Sequence, residues 1–224
     1  MGNQIGLTIL IMIAIVCVLA FTEIIYRRFG LKGEITRKFA HFTATLATST
    51  FPYLFNSHWY VLVLALFFFL VLFLSRHGSQ LKSIHDIERK SVGGYMLPVA
   101  VWVTFFIAER YQSKIMFVLP MLILAVCDPM AGILGMNFKR NNKKIRIFGH
   151  ELQKTWLGSG AFLVSAFIIS AIALYFNTMD FSIKTFWLAM SIASTGTVVE
   201  MLSWRGMDNL FIPVSVAVML ILLM

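Results

Sequence analysis

Apolar stretches long enough to cross a bilayer alternate along this 224-residue chain with four short basic segments. Of its 19 Lys and Arg, 16 lie in those segments: Arg27 to Lys38, Arg76 to Lys90, Lys139 to Lys154, and the turn at Arg205. The remaining connections hold only Arg110, Lys114 and Lys184. Lys and Arg collect in cytoplasmic loops, so the alternation predicts a topology as well as a fold class. Only 13% of the residues are charged and 59% are apolar, whereas a soluble domain carries about 25% charged residues. The chain therefore reads as an integral membrane protein. Its net charge of +9 belongs to short juxtamembrane loops, where basic residues set orientation and attract anionic lipid or phosphate. It does not point to nucleic acid.

A helical span needs about 20 apolar residues, within a range of about 17 to 25. Eight stretches fit. They are Ile5 to Tyr26, Phe39 to Phe55, Trp59 to Ser75, Val92 to Ala108, Ile115 to Gly135, Trp156 to Phe176, Phe186 to Leu202 and Asn209 to Met224. The second and eighth are short, so the expectation is an all-α, polytopic protein of about seven to eight transmembrane helices. Open sheet edges find no hydrogen-bond partner in lipid. The N-terminal run lacks a basic leader and is too long for a signal peptide, so it is expected to stay as a first span. Both termini then lie opposite the basic loops. Cys17 and Cys127 fall inside apolar runs and imply no disulfide framework. With no linker or repeat, residues 1–224 are expected to form one domain.

Ionisable groups at the ends of spans are costly and usually functional. His41, Asp128, Glu200 and Asp208 occupy such positions. Arg37 and His41 share a helix face at i, i+4, with Lys38 beside them. That cluster suits an anion such as phosphate, though basic residues there also serve as an ordinary positive-inside anchor. Asp208 also suits a helix N-cap. In the fifth span, Asp128, Ala131, Gly132 and Gly135 fall on one face, and small residues there allow close approach. Pro129 removes a backbone donor and invites a kink after the carboxylate. A carboxylate beside a break suits Mg²⁺, which commonly joins one or two carboxylates to substrate phosphates.

Two more junctions carry the same chemistry. Lys154 and Thr155 are expected to open a helix whose first turns hold Gly158, Ser159 and Gly160. A helix N-terminus with a Lys beside it can hold phosphate, although the P-loop spacing is missing. Arg89, Lys90 and Ser91 stand before Gly93 and Gly94 at another helix start.

In order and spacing these motifs resemble the CTP-dependent polyprenol and lipid-alcohol kinases, a group that includes dolichol kinase and phytol kinase and is related to the phosphatidate cytidylyltransferases. The resemblance rests on Arg37-Lys-Phe-Ala-His41, Glu88-Arg-Lys-Ser-Val-Gly93, Asp128-Pro-Met-Ala-Gly-Ile-Leu-Gly135, Lys154-Thr-Trp-Leu-Gly-Ser-Gly160, and Glu200 followed by Asp208, Asn209 and Pro213. It covers roughly residues 37 to 213. The chain departs from the family pattern at Leu157, where an acidic residue is frequent, at Cys127, where Gly is frequent, and at Gly94, where Glu is frequent. The Asp-Arg string of the cytidylyltransferases proper is absent, which favours a kinase.

The resemblance implies transfer of the γ-phosphoryl group of CTP to a long-chain prenol or related lipid alcohol at the cytoplasmic face. Mg²⁺ is assigned to Asp128, with Asp208 and Glu200 as further candidate ligands. Lys154, Thr155, Gly158, Ser159 and Asn209 would hold the nucleotide phosphates, and Arg37, Lys38, Arg89 and Lys90 would neutralise charge. His41 or a carboxylate would orient or deprotonate the alcohol. The partners expected are CTP, a lipid alcohol and membrane lipids. The alternatives are a phosphatidate cytidylyltransferase-like enzyme making a CDP-lipid, or a transporter. A transporter would place its ionisable groups near the midplane within inverted repeats, and here they gather at one interface.

Overall fold

The computed structural model describes residues 2–29, 33–77, 81, 91–137, 143–147 and 150–224. Among them, helices run α1 Gly2–Phe29, α2 Gly33–Thr48, α3 Phe51–Leu54, α4 His58–His77, α5 Gly93–Arg110, α6 Ile115–Asn137, α7 Trp156–Thr178, α8 Ile183–Leu202 and α9 Asp208–Leu223. Strands β1 Lys144–Ile147 and β2 His150–Thr155 pair antiparallel between α6 and α7. The fold is all-α apart from this hairpin, whose cross-strand pair is Arg146 with Glu151. The Arg146 guanidinium bonds Glu151 at 3.0 Å through Nε and 2.5 Å through Nη2, holding that carboxyl below the ordinary range.

Five helices are long and apolar enough to cross a bilayer: α1, α4, α6, α7 and α8. Expected spans two, four and eight fall on α2, α5 and α9, of 16, 18 and 16 residues. Span two is not one helix. It starts earlier, at Gly33, and stops at Thr48, where three hydroxyls satisfy the last carbonyls. Thr48, Ser49 and Thr50 donate to Thr45, Leu46 and Ala47 at 2.8, 2.6 and 2.8 Å. Carbonyls at a helix end have no intrahelical partner, and such local bonds replace one. Pro52 then opens the one-turn α3.

Helix α6 is the centre of the bundle. It is apolar all round, as a core helix must be, and 56% of its spanning window is buried, against 17% for α1. Phe117, Leu119, Met121, Ile123, Leu124 and Cys127 are sealed from the surroundings. It packs on α2, α5, α7 and α9, and α7 packs on α8. The helix runs through Pro129 to Asn137 without the break that the sequence suggested. Prolines are tolerated in spans because neighbouring helices make good the lost bond.

The α6–α7 contact is close because both partners are small. A Cβ on Gly158 would stand 2.8 Å from the Ala131 carbonyl oxygen and 3.0 Å from Thr155 Oγ1. Far from this contact, at the other end of the bundle, Gln4 of α1 bonds the Leu54 carbonyl at 3.1 Å, and His58 of α4 bonds Glu109 of α5 at 2.8 Å. The polar residues singled out from the sequence lie at the opposite end. We predict that Gly158→Ala lowers stability by about 1–3 kcal/mol through overpacking. Thermal unfolding in detergent measures this, and an unchanged melting point would contradict the contact.

Candidate functional site

Helices α2, α6, α8 and α9 and strand β2 each bring one to three polar groups to that end. Thr155 closes β2 and N-caps α7, its Oγ1 accepting from Gly158 N at 3.2 Å. Such a cap is worth about 1 kcal/mol. Lys154 therefore sits on a strand, one residue before the cap of the helix that it was expected to open. The hairpin gives it a fixed direction, into the space between α6, α8 and α9.

Three carboxylates meet its ammonium there. Nζ is 2.8 Å from Glu200 Oε1 on α8, 3.0 Å from Asp208 Oδ2 at the start of α9, and 3.9 Å from Asp128 Oδ1 on α6. Burial works against the lysine charge, but Asp128, Asp208 and Glu200 together outweigh it and hold the ammonium well above the ordinary lysine range. Glu200 is 2% exposed, and its second oxygen accepts from Ser159 Oγ at 2.9 Å. Both oxygens of Glu200 are thus engaged. Asp128 and Asp208 keep 22% and 16% of their side-chain surface.

The turn between α8 and α9 is bound to the start of α5. Val92 N donates to the Arg205 carbonyl at 2.8 Å, and Asn209 Nδ2 to the Gly93 carbonyl at 2.8 Å. Gly206 adopts φ +88°, and any Cβ there would collide with Gly93 N and Ser91 Oγ. Only glycine closes this turn.

The groups line a polar cavity of about 140 Å³. Asp128, Glu200 and Asp208 face it, with Arg37, Lys38, Lys154 and Arg205 around them. The Lys38 ammonium lies over Gly132, whose missing side chain makes room for it. His41 packs between α2 and α6, its ring bonded to the Leu124 carbonyl, while Nε2 is buried without a hydrogen-bond partner among the described residues. Against this cavity lies a second one, apolar and about 460 Å³, between α1, α2, α4 and α5. Four residues line both: Arg37, His41, Ser91 and Asn209.

The structure brings together Arg37, Lys38, His41, Asp128, Lys154, Thr155, Gly158, Glu200, Asp208 and Asn209 around the polar cavity. Ser159 is 3% exposed and turned to Glu200, so its hydroxyl is engaged in the protein. Arg89 and Lys90 lie outside the described residues. Ser91, singled out beside Arg89 and Lys90, lines the cavity too, and sequence reasoning did not assign Gln153, Ser203 or Arg205 to the site, although they also line it. Arg205 carried a signal: a lone cation three residues before Asp208 in an otherwise uncharged turn.

The described residues contain no cluster of three His, Cys, Asp or Glu side chains built to cage a metal ion. The donor set nonetheless fits Mg²⁺, which needs only one or two carboxylates when phosphate oxygens complete the shell. Asp128, Asp208 and Glu200 all line the cavity, each within reach of the Lys154 ammonium.

The cytidylyltransferase family profile matches residues 2–222. The chain belongs to the cytidylyltransferase family. A phytol kinase from Synechocystis sp. is 25% identical over 187 residues, covering 83% of this chain and 77% of that protein. No solved structure matches the chain. These findings agree with the resemblance to CTP-dependent phytol and polyprenol kinases drawn from the motifs. In this cytidylyltransferase-family chain the matched region includes every residue of the polar cavity.

Removing one partner from a buried ionic cluster leaves the others uncompensated. We predict that Lys154→Met costs roughly 3 kcal/mol. A lysine with a raised value contributes stability that is complete below its unfolded value, about pH 10.4, and is lost only as pH rises through the folded value. The melting-point gap between wild type and Lys154→Met should therefore stay constant from about pH 7 to 10. A gap that closes within that window would contradict the three-carboxylate geometry.

Proposed function

We propose that this protein is a membrane kinase that moves the γ-phosphoryl group of CTP to the hydroxyl of a prenol-type lipid alcohol. The observation that carries the reading is the shared boundary of the two cavities. An apolar chain in the larger cavity would present its hydroxyl at Arg37, His41, Ser91 and Asn209, beside the carboxylate and lysine cluster. A soluble nucleotide and a membrane-bound acceptor would meet there. The reading includes seven to eight spans, basic loops on the cytoplasmic side and the N-terminus opposite, as the charge distribution suggests.

Phosphoryl transfer depends on positioning and charge neutralisation more than on covalent chemistry. In the proposed step the alcohol oxygen attacks the γ-phosphorus, the bond to the β-phosphate oxygen breaks, and CDP leaves. The hydroxyl proton passes to His41 Nε2, the buried ring nitrogen that lacks a partner. Arg37, Lys38 and Arg205 balance the phosphate charge. Lys154 holds Glu200 and Asp208 in place and reaches toward the transferred group. Asp128 and Asp208 would hold Mg²⁺, which when bound neutralises charge on the phosphate oxygens. The preference for CTP comes from the family.

A second reading is nucleotidyl transfer to make a CDP-lipid, which the family description favours. It releases pyrophosphate, not CDP. The test uses purified protein, Mg²⁺ and CTP, with either a prenol panel or phosphatidate as the acceptor and products resolved by chromatography. We expect CDP and prenyl phosphate in equal amounts. Asp128→Asn should lower kcat by about 10³-fold or more while the protein stays folded and inserted. Retained activity would refute the role of Asp128, and pyrophosphate with a CDP-lipid would establish the second reading.

A further inference from the structure

The apolar cavity has a mouth, walls and a floor, and the three together carry information about chain length. Its mouth is the polar boundary at Arg37 and His41. One wall is α2, lined from Arg37 to Thr48, and another is α4, lined from Val61 to Leu72. Both pairs are eleven residues apart, and at about 1.5 Å per residue each wall is about 16 Å long. The floor is α3. Phe51 and Leu54 line the cavity end, and Phe51 is held there by edge contact with Phe55 at 5.3 Å and stacking on Phe117 at 6.5 Å. Gln4 pins the Leu54 carbonyl to the start of α1. α2 ends at Thr48 and Pro52 starts α3, which places this floor.

We propose that this cavity holds a single prenyl chain, hydroxyl at His41 and tail at Phe51, and that its depth selects three to four isoprene units. An extended chain advances about 1.2 Å per main-chain bond, so about 16 Å takes roughly 14 bonds, or three to four isoprene units. By the same measure an extended tail of about 17 bonds, the length of a common fatty-acyl chain, spans about 20 Å and is longer than the cavity, so a diacylglycerol does not fit. The alanines Ala40, Ala44 and Ala47 on α2 and Ala65 on α4 keep the bore open. The inference rests on the proposed kinase reading only for the direction of the hydroxyl.

The test measures binding, so that it stands apart from turnover. A four-unit prenol bearing a diazirine on its last isoprene is cross-linked to the full-length protein in detergent, and the adduct is mapped by mass spectrometry. Unlabelled geraniol, farnesol, geranylgeraniol, undecaprenol and diacylglycerol compete. We expect adducts at Phe51 or Leu54, with farnesol and geranylgeraniol competing at least tenfold better than the other three. Two substitutions shift the floor. Ala44 lies about 10 Å and Ala47 about 15 Å along α2 from Arg37, so Ala44→Phe should move the preference to two units and Ala47→Phe to three. Adducts elsewhere, or competition that ignores length and tail number, would overturn the proposal. Should a variant fail to fold, the wild-type competition series decides alone. Length-selective binding without phosphorylation would sink the kinase reading and leave the cavity assignment standing. Phosphorylation without length selection would do the reverse.

Discussion

One ammonium group organises the polar end of this protein. Lys154 draws Glu200, Asp208 and Asp128 together from α8, α9 and α6. Without it, three acids would stand side by side at the edge of an apolar bundle, where unpaired charge is costly. Its own position comes from the β hairpin and from Thr155, which stops the strand and starts α7 in a single residue. Ser159, on the first turn of α7, then fixes the far oxygen of Glu200. The cluster and the helix packing depend on each other, because Gly158 and Ala131 let α7 approach α6 closely enough for these bonds to form.

The second constraint is the boundary between two environments. The polar cavity is walled by backbone ties between α5 and the α8–α9 turn, and the apolar cavity by side chains of the four helices α1, α2, α4 and α5. Arg37 and His41, one helical turn apart, sit where the two meet. A reaction between a charged phosphate and the hydroxyl of an apolar chain needs such a boundary. Holding the reactants in register supplies much of what phosphoryl transfer requires. Helix α1, which forms one wall of the apolar cavity, is the least buried of the long apolar helices.

Much of this was legible in the sequence. Charge alternation placed the polar groups at one end, and the small residues after Asp128 announced a close contact on α6. Arg37 and His41 were paired correctly by the i, i+4 rule, and both line the two cavities. Other features depend on tertiary geometry that no local pattern encodes. Span two reads as continuous, yet α2 stops at Thr48, and Pro52, which has no N–H to offer the Thr48 carbonyl, starts the separate turn α3. Lys154 reads as the opening of a helix because the strand that carries it, His150–Thr155, shows no alternation of apolar residues. Ser159 reads as a phosphate ligand until Glu200, 41 residues away, claims its hydroxyl. The apolar cavity is built from several helices, so its depth could not be read from any one of them.

The most direct test of the account is a single incubation with CTP labelled differently at the α and γ phosphates, Mg²⁺ and a prenol in mixed micelles, followed by extraction of the lipid. The account predicts that the γ label alone enters the lipid phase and that the α label stays in CDP. Appearance of the α label in lipid, or of neither label, would contradict a phosphoryl transfer at the boundary of Lys154 and His41.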